Sequence, residues 1–351
     1  MEEEKRKVLS DKIDQLIYSN YRTMEPSEEL KQAAEYLMKE AKGYLNMDSD
    51  KERLVSIAYF ADDIVPRLCK VFQGQEKVLF FNLLAIEFLA DMLVFREYKD
   101  IESFEYVISK YLRIQEDDEE NVGFAHFFSW VFSQYKENHR YDNTRHMAKA
   151  MAGSAFLLMH EWTHTQTGMI EKVMPLLDST EEVKRCYTDD QGKENLRIKT
   201  EICCDFNALE LCAGSKLERL FGLSRQEFLG VSIIASFIPA LYKELKKAFW
   251  VNSTHKEELA KEIQDSLLSR VFAICILVRK AELSTNMFFE DQDIQSAMEE
   301  CTLLSEWLRM HSKYLDEHFI KRADSYNALP TEVQEQSNGC EYHRILWSIF
   351  A

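Results

Sequence analysis

Chain breakers are scarce in this sequence, with 10 glycines and 5 prolines among 351 residues. A turn-rich β fold uses many more, so long helices with short connections are expected. Basic residues are outnumbered, 43 Lys and Arg against 60 Asp and Glu, for a net charge of −17. Nucleic-acid binding relies on cations to neutralise phosphates, so no nucleic-acid partner is expected. The same balance argues against an anionic membrane surface, whereas a basic protein partner is compatible with it. No clean apolar run reaches spanning length. The most apolar stretch, Val78 to Phe95, is interrupted by Asn82, Glu87 and Asp91 and reads as a buried helix. The opening MEEEKRKVLSDKID lacks the apolar core of a secretion signal. No C-x-x-C occurs among the eight cysteines, and the adjacent Cys203 and Cys204 cannot form an ordinary pair with each other. Reduced thiols and a cytoplasmic location are expected. G-x-S-x-G, P-loop and G-x-G-x-x-G patterns are also missing.

What is present is mostly helical periodicity. Helices are expected over 1–24, 27–47, 51–72, 76–97 and 100–114. The acidic run Gln115 to Gly123 marks a candidate boundary. Phe124 to Tyr135 carries six aromatic residues at helical spacing and reads as core. A helix from Asn143 should run through Ala155 and end near Gly168. Residues 178–196 form a polar excursion, in which Val183–Tyr187 and Leu196–Ile198 could make a small hairpin around Asp190-Gln191-Gly192. Helices follow from about Ile198 to Cys212, then over 225–250, 254–280, 291–319 and 340–350. Three regions result: an N-terminal helical region (1–115), a central one (124–280) and a C-terminal helical one (281–351).

The central region holds the sequence's sharpest signal, His160-Glu161-Trp162-Thr163-His164. Residues at i and i+4 share a helix face, so both imidazoles can reach one ion. Glu161 lies about 100° further round the helix. It is placed to flank the ion's open position, taking a proton from an activated water and passing it to a leaving amine. With 9 His and 60 acids, random placement gives H-[DE]-x-x-H roughly 0.04 times per chain. The apolar approach Phe156-Leu157-Leu158-Met159 buries the motif, which is costly unless its polar groups are paired or coordinated.

A catalytic zinc usually has three protein ligands and a water. Six residues past His164 stands Ile170, so no third histidine follows at that spacing. Glu171, Glu181, Glu182, Glu194, Glu201 and Glu210 are downstream candidates, of which Glu201 is the best placed. Asp205, one turn on, can accept the N–H of a liganding imidazole. Cys203 or Cys204 is an alternative donor. The spacing alone is weak evidence, because Glu87-x-x-x-Asp91 repeats it. His255 sits in a Thr254-x-x-Glu257 capping box and is a candidate donor to a tetrahedral oxyanion, as are Tyr187 and Tyr242. His126, His139, His146, His311, His318 and His343 show no ligand spacing.

His160-Glu161-x-x-His164 followed by Glu201-x-x-x-Asp205 resembles the gluzincin pattern of zinc metallopeptidases. The resemblance covers two short helices. It implies zinc on His160, His164 and Glu201, Glu161 as general base, and Asp205 supporting a histidine. The all-helical setting is more loosely similar to the Lit-type phage-exclusion peptidases of bacteria, which implies a role in antiviral defence. The expectation is thus a mainly α, zincin-like endopeptidase that contains the small hairpin and is flanked by helical regions. Its substrate would be protein, with an activating or inhibitory protein partner. The rivals are a di-iron bundle and a helical interaction protein with a structural or inactive metal site. The bundle fails because no second E-x-x-H exists.

Overall fold

The computed structural model describes residues 52–57, 67–71, 76–82, 84–98, 100–112, 130–131, 134–135, 144–215, 221–225, 227–236 and 269–278, besides a few isolated positions. Within these residues the chain is mainly helical, as expected. The exception lies near the N-terminal end. β1 (Glu52–Ile57), β2 (Arg67–Val71) and β3 (Glu76–Asn82) form a sheet of order β1-β3-β2. β1 runs parallel to β3, pairing Glu52 with Lys77, and β2 runs antiparallel to it, pairing Arg67 with Phe80. Of the helix expected over 51–72, residues 52–57 and 67–71 are therefore corrected to strands, as is the first part of that expected over 76–97. Val55, Ile57, Val71, Val78 and Phe80 suit a pleated surface, and short apolar runs do not reveal their period.

The apolar stretch from Val78 is thus divided between β3 and helix α1 (Leu84–Tyr98). α1 is buried on every side at Ile86, Phe88, Leu89, Ala90, Met92, Leu93 and Val94. Its acids are answered by α2 (Ile101–Leu112), whose Lys110 lies 2.7 Å from Asp91 and 2.5 Å from Glu87. Among the described residues no helix is long and apolar enough to cross a membrane. In the aromatic segment, Val131 and Tyr135 are buried, and Tyr135 donates to Glu105.

A single 3-10 turn (Thr144–His146) leads into α3 (Met147–Thr163), the helix expected to carry the motif. α3 packs against α1 on one side and α6 (Leu196–Ser215) on another. It is apolar nearly all round, the pattern of a helix enclosed by others. Phe156, Leu158 and Met159 are essentially inaccessible, each worth about 1.5–3 kcal/mol of burial. Gly153 permits the close crossing: a Cβ there would lie 3.2 Å from Ala235 Cβ and 3.2 Å from Leu89 Cδ1. Ala235 belongs to a helical segment, 227–236 (α7), opened by a Ser224/Glu227 capping box.

α3 stops at Thr163, not near Gly168, and a new helix α4 spans Thr167–Ser179. Gly168 is exposed inside α4's first turn rather than capping α3. The threonines flanking His164 assist the stop, since Thr163 Oγ1 donates to the Met159 carbonyl and Thr165 Oγ1 to that of Trp162. The polar excursion after α4 contains a short helix, α5 (Glu181–Lys184), and one isolated bridge, Thr188 to Glu194, in place of the expected hairpin. Gly192 turns the chain there with φ +78°, a conformation natural to glycine. Residues 269–278 are helical (α8). The helices expected at 1–24 and 340–350, most of those at 27–47 and 291–319, and the parts of those at 225–250 and 254–280 that fall within 237–268 lie outside the described residues, as does the 115–123 boundary.

Candidate metal centre

Three separate helices build the site. α3 supplies His160 and His164, α6 supplies Glu201 and Asp205, and α8 supplies Arg270. Although His164 caps α3, its N–H still reaches the His160 carbonyl at 3.3 Å, so the i,i+4 geometry survives the helix end. α6 is aimed by its own start. Asn195 Oδ1 accepts the Ile198 N–H at 3.2 Å, an N-terminal cap that sets the first turn. Lys199 lies 2.6 Å from Asp178 of α4 and 3.0 Å from Glu194 of the excursion, fastening α6 to both. Asn207 adds a bond from its Nδ2 to the Met169 carbonyl at 3.3 Å.

The ligand-bearing atoms converge. His160 Nε2 lies 3.2 Å from His164 Nε2 and 3.2 Å from Glu201 Oε2, and Glu201 Oε1 lies 3.7 Å from His164 Nε2. Tetrahedral zinc with bonds of about 2.0–2.1 Å has ligand–ligand edges of about 3.3 Å. The two edges at His160 Nε2 match that length, and the third, to the other oxygen of Glu201, is longer; two imidazoles and a carboxylate are a donor set that zinc accepts. His160, Glu161 and His164 also offer ligand atoms within 4.8 Å of one another, so this cluster could hold a metal ion.

Behind the triangle, His160 Nδ1 lies 2.7 Å from Asp205 Oδ1. Both atoms are inaccessible, and they meet as a close ion pair without hydrogen-bond geometry, so neither has a hydrogen-bond partner among the described residues. Nδ1 thus faces Asp205, and Nε2 faces Glu201 and His164. The other oxygen of Asp205 receives Arg270, from Nη2 at 2.8 Å and Nε at 3.1 Å. Arg270 Nη2 also stands 3.4 Å from Glu201 Oε2. His164 Nδ1 faces a different partner, the Cys204 thiol at 3.4 Å.

Charges follow from this enclosure. Burial opposes a charged His160, but Asp205 and Glu201 outweigh it and hold its pKa up at about 10. Burial and the neighbouring His160 lower His164. Glu201 is raised by burial yet lowered further by His160, Arg270 and His164, so it stays ionised. Burial, reinforced by Asp205 and Glu201, raises the Cys204 thiol, which argues against a thiolate ligand there. Cys203 is raised by burial to about 12. Cys186, Cys203, Cys204, Cys212 and Cys275 are all free thiols.

The structure thus gathers His160, Glu161, His164, Glu201 and Asp205. It does not gather every expected residue. Tyr187 is buried and its hydroxyl donates to Asp178 at 2.8 Å, so it is committed elsewhere. Its neighbour Glu194 is engaged by Lys199. Glu171 is exposed on α4, and Glu181 faces Arg185 at 3.9 Å. His146 stands beside Glu97, at 3.4 Å. His255 and Tyr242 lie outside the described residues. Arg270 was missed in the sequence; its one signal is a cation leading into the apolar run Val271 to Val278.

No known protein family, curated protein or solved structure matches this chain.

Proposed function

We propose that this chain is a zinc-dependent endopeptidase of gluzincin type, with His160, His164 and Glu201 as ligands. The observation that carries this reading is the triangle of Nε2, Nε2 and carboxylate atoms with Asp205 seated behind His160. Zinc bound there supplies Lewis acidity, polarising a carbonyl and bringing the pKa of a water to about 7. The chain's residues supply the rest. Glu161, beside both imidazoles, takes the proton of the attacking water and delivers it to the leaving amine nitrogen. Asp205 holds the His160 ring and Glu201 closes the ligand set. A zincin-like arrangement of the central region and an oxyanion donor at His255 or Tyr242 belong to the same proposal.

A second reading has one observation in its favour. His160, Arg270, Glu201 and Asp205 balance in charge without any metal, so they could form a structural polar cluster in a helical interaction protein. Two measurements separate the readings. The first is proton release. In the metal-free protein His160 keeps its proton to about pH 10, while His164 has lost its own more readily. Metal uptake should therefore expel one proton, and affinity should rise about tenfold per pH unit from near neutrality to about pH 10. Over the same window the metal-free fold should weaken. A raised histidine pKa stabilises below the unfolded value of about 6.5, and that stabilisation is lost as pH rises through the folded value. Calorimetric titration in buffers of different ionisation enthalpy reads the proton count, and pH-independent zinc affinity would contradict the ligand set.

The second is substrate selectivity. We place the enzyme in the cytoplasm, where indiscriminate cleavage would harm its host. Selection of few protein substrates, or activation by a partner, suits a chain with 60 acids against 43 bases, which favours encounter with basic surfaces. A role in bacterial phage defence is consistent with that selectivity. Mapping new peptide termini in lysate, with the zinc-loaded protein against Glu161→Gln, should show a short list of cleavages. Hundreds of unrelated sites would contradict selectivity.

A further inference from the structure

Asp205 has two oxygens and a single torsion that turns them, and such terminal torsions are broad. Something must decide which oxygen meets His160. Asp205 is wholly buried, so its immediate neighbours set its orientation. Arg270 reaches across from a helix 65 residues away and places two nitrogens on Oδ2, leaving Oδ1 to His160 Nδ1. The planar guanidinium fixes direction as well as charge, which a lysine ammonium does not. Its Nη2 also stands beside Glu201 Oε2, so one side chain touches the carboxylate behind the histidine and the carboxylate that completes the triangle.

We infer that Arg270 is a positioning residue of the metal centre, orienting Asp205 so that His160 turns Nε2 toward the ion. This rests on the proposed metal-binding reading. Arg270 does not bind the ion itself, and it acts through Asp205. It also makes the arrangement of α8 against α6 a condition of ligand geometry, linking a segment distant in sequence to the site.

The test is a double-mutant cycle on the full chain, read by zinc affinity in competition with a chelating dye and by the visible spectrum of the cobalt-loaded protein. Arg270→Lys keeps the charge and loses the fork. It should weaken zinc binding by about 10–100-fold and alter the cobalt spectrum, as expected when a ligand's support is removed. In an Asp205→Asn background the same change should cost less than about twofold, because the route through Asp205 is already broken. Equal losses in both backgrounds, or no loss in a folded Arg270→Lys protein, would overturn the inference while leaving the metal reading intact. Wild-type protein that binds no zinc would overturn both. Should Arg270→Lys fail to fold, the neutral pair Arg270→Gln with Asp205→Asn should match Asp205→Asn alone, and a further large loss of affinity would count against a role through Asp205.

Discussion

Glu161→Gln should retain zinc, fold and substrate binding while cleavage falls by about 10²–10⁴-fold, the usual contribution of a positioned general base. The amide nearly matches the carboxylate in shape but cannot take up a proton at neutral pH. Glu161 follows His160 directly, on the half-buried part of the helix, with an oxygen near both imidazoles. The ligand triangle does not depend on it, which is why metal and activity should separate. Zinc content, thermal unfolding and cleavage rate measured on the same preparation decide the matter. A variant that cleaves at the wild-type rate removes Glu161 as the base; one that loses its zinc makes it a ligand instead.

Removal of a ligand should have the opposite signature, with metal and activity lost together. His164→Ala is the cleaner choice. His160 is buried between two carboxylates, so its loss would leave Asp205 and Glu201 short of a positive partner and endanger the fold. His164 is more exposed, and among the described residues its nearest carboxylate oxygen lies 3.7 Å away. Zinc sites are worth about 10–16 kcal/mol over four ligands, so one ligand carries about 2.5–4 kcal/mol, or roughly 10²–10³-fold in affinity. Glu201→Gln should weaken binding as well. Glu87→Gln provides the control, since it alters the same E-x-x-x-D spacing in a place where the acids face Lys110. Metal content that survives His164→Ala unchanged, or that falls equally in Glu87→Gln, would undo the assignment.

The contrast between those two E-x-x-x-D pairs shows what could be read in advance. Periodicity placed His160 with His164, and Glu201 with Asp205, each pair on one helix face, because i,i+4 geometry is local to the chain. It could not say which pair meets a histidine and which a lysine, since that depends on helix packing. The end of α3 was misplaced for a related reason. Gly168 resembles a helix stop, yet the threonines at 163 and 165 close the last turn earlier. Strands at 52–57, 67–71 and 76–82 were hidden because apolar runs of that length fit helix and strand alike. The turn at Gly192 was legible, but its flanks became α5 and α6 instead of a hairpin. Arg270 carried no local pattern, and only the fold brings it to Asp205 across 65 residues.

The most direct test of the account is reconstitution. Protein stripped of metal by a chelator and given one equivalent of zinc should regain cleavage of a substrate identified in lysate, in proportion to zinc bound, and the same treatment of Glu161→Gln should restore the metal without the cleavage. Full cleavage by the stripped protein, or a fully zinc-loaded wild type that cuts nothing in lysate or in cells, would contradict it.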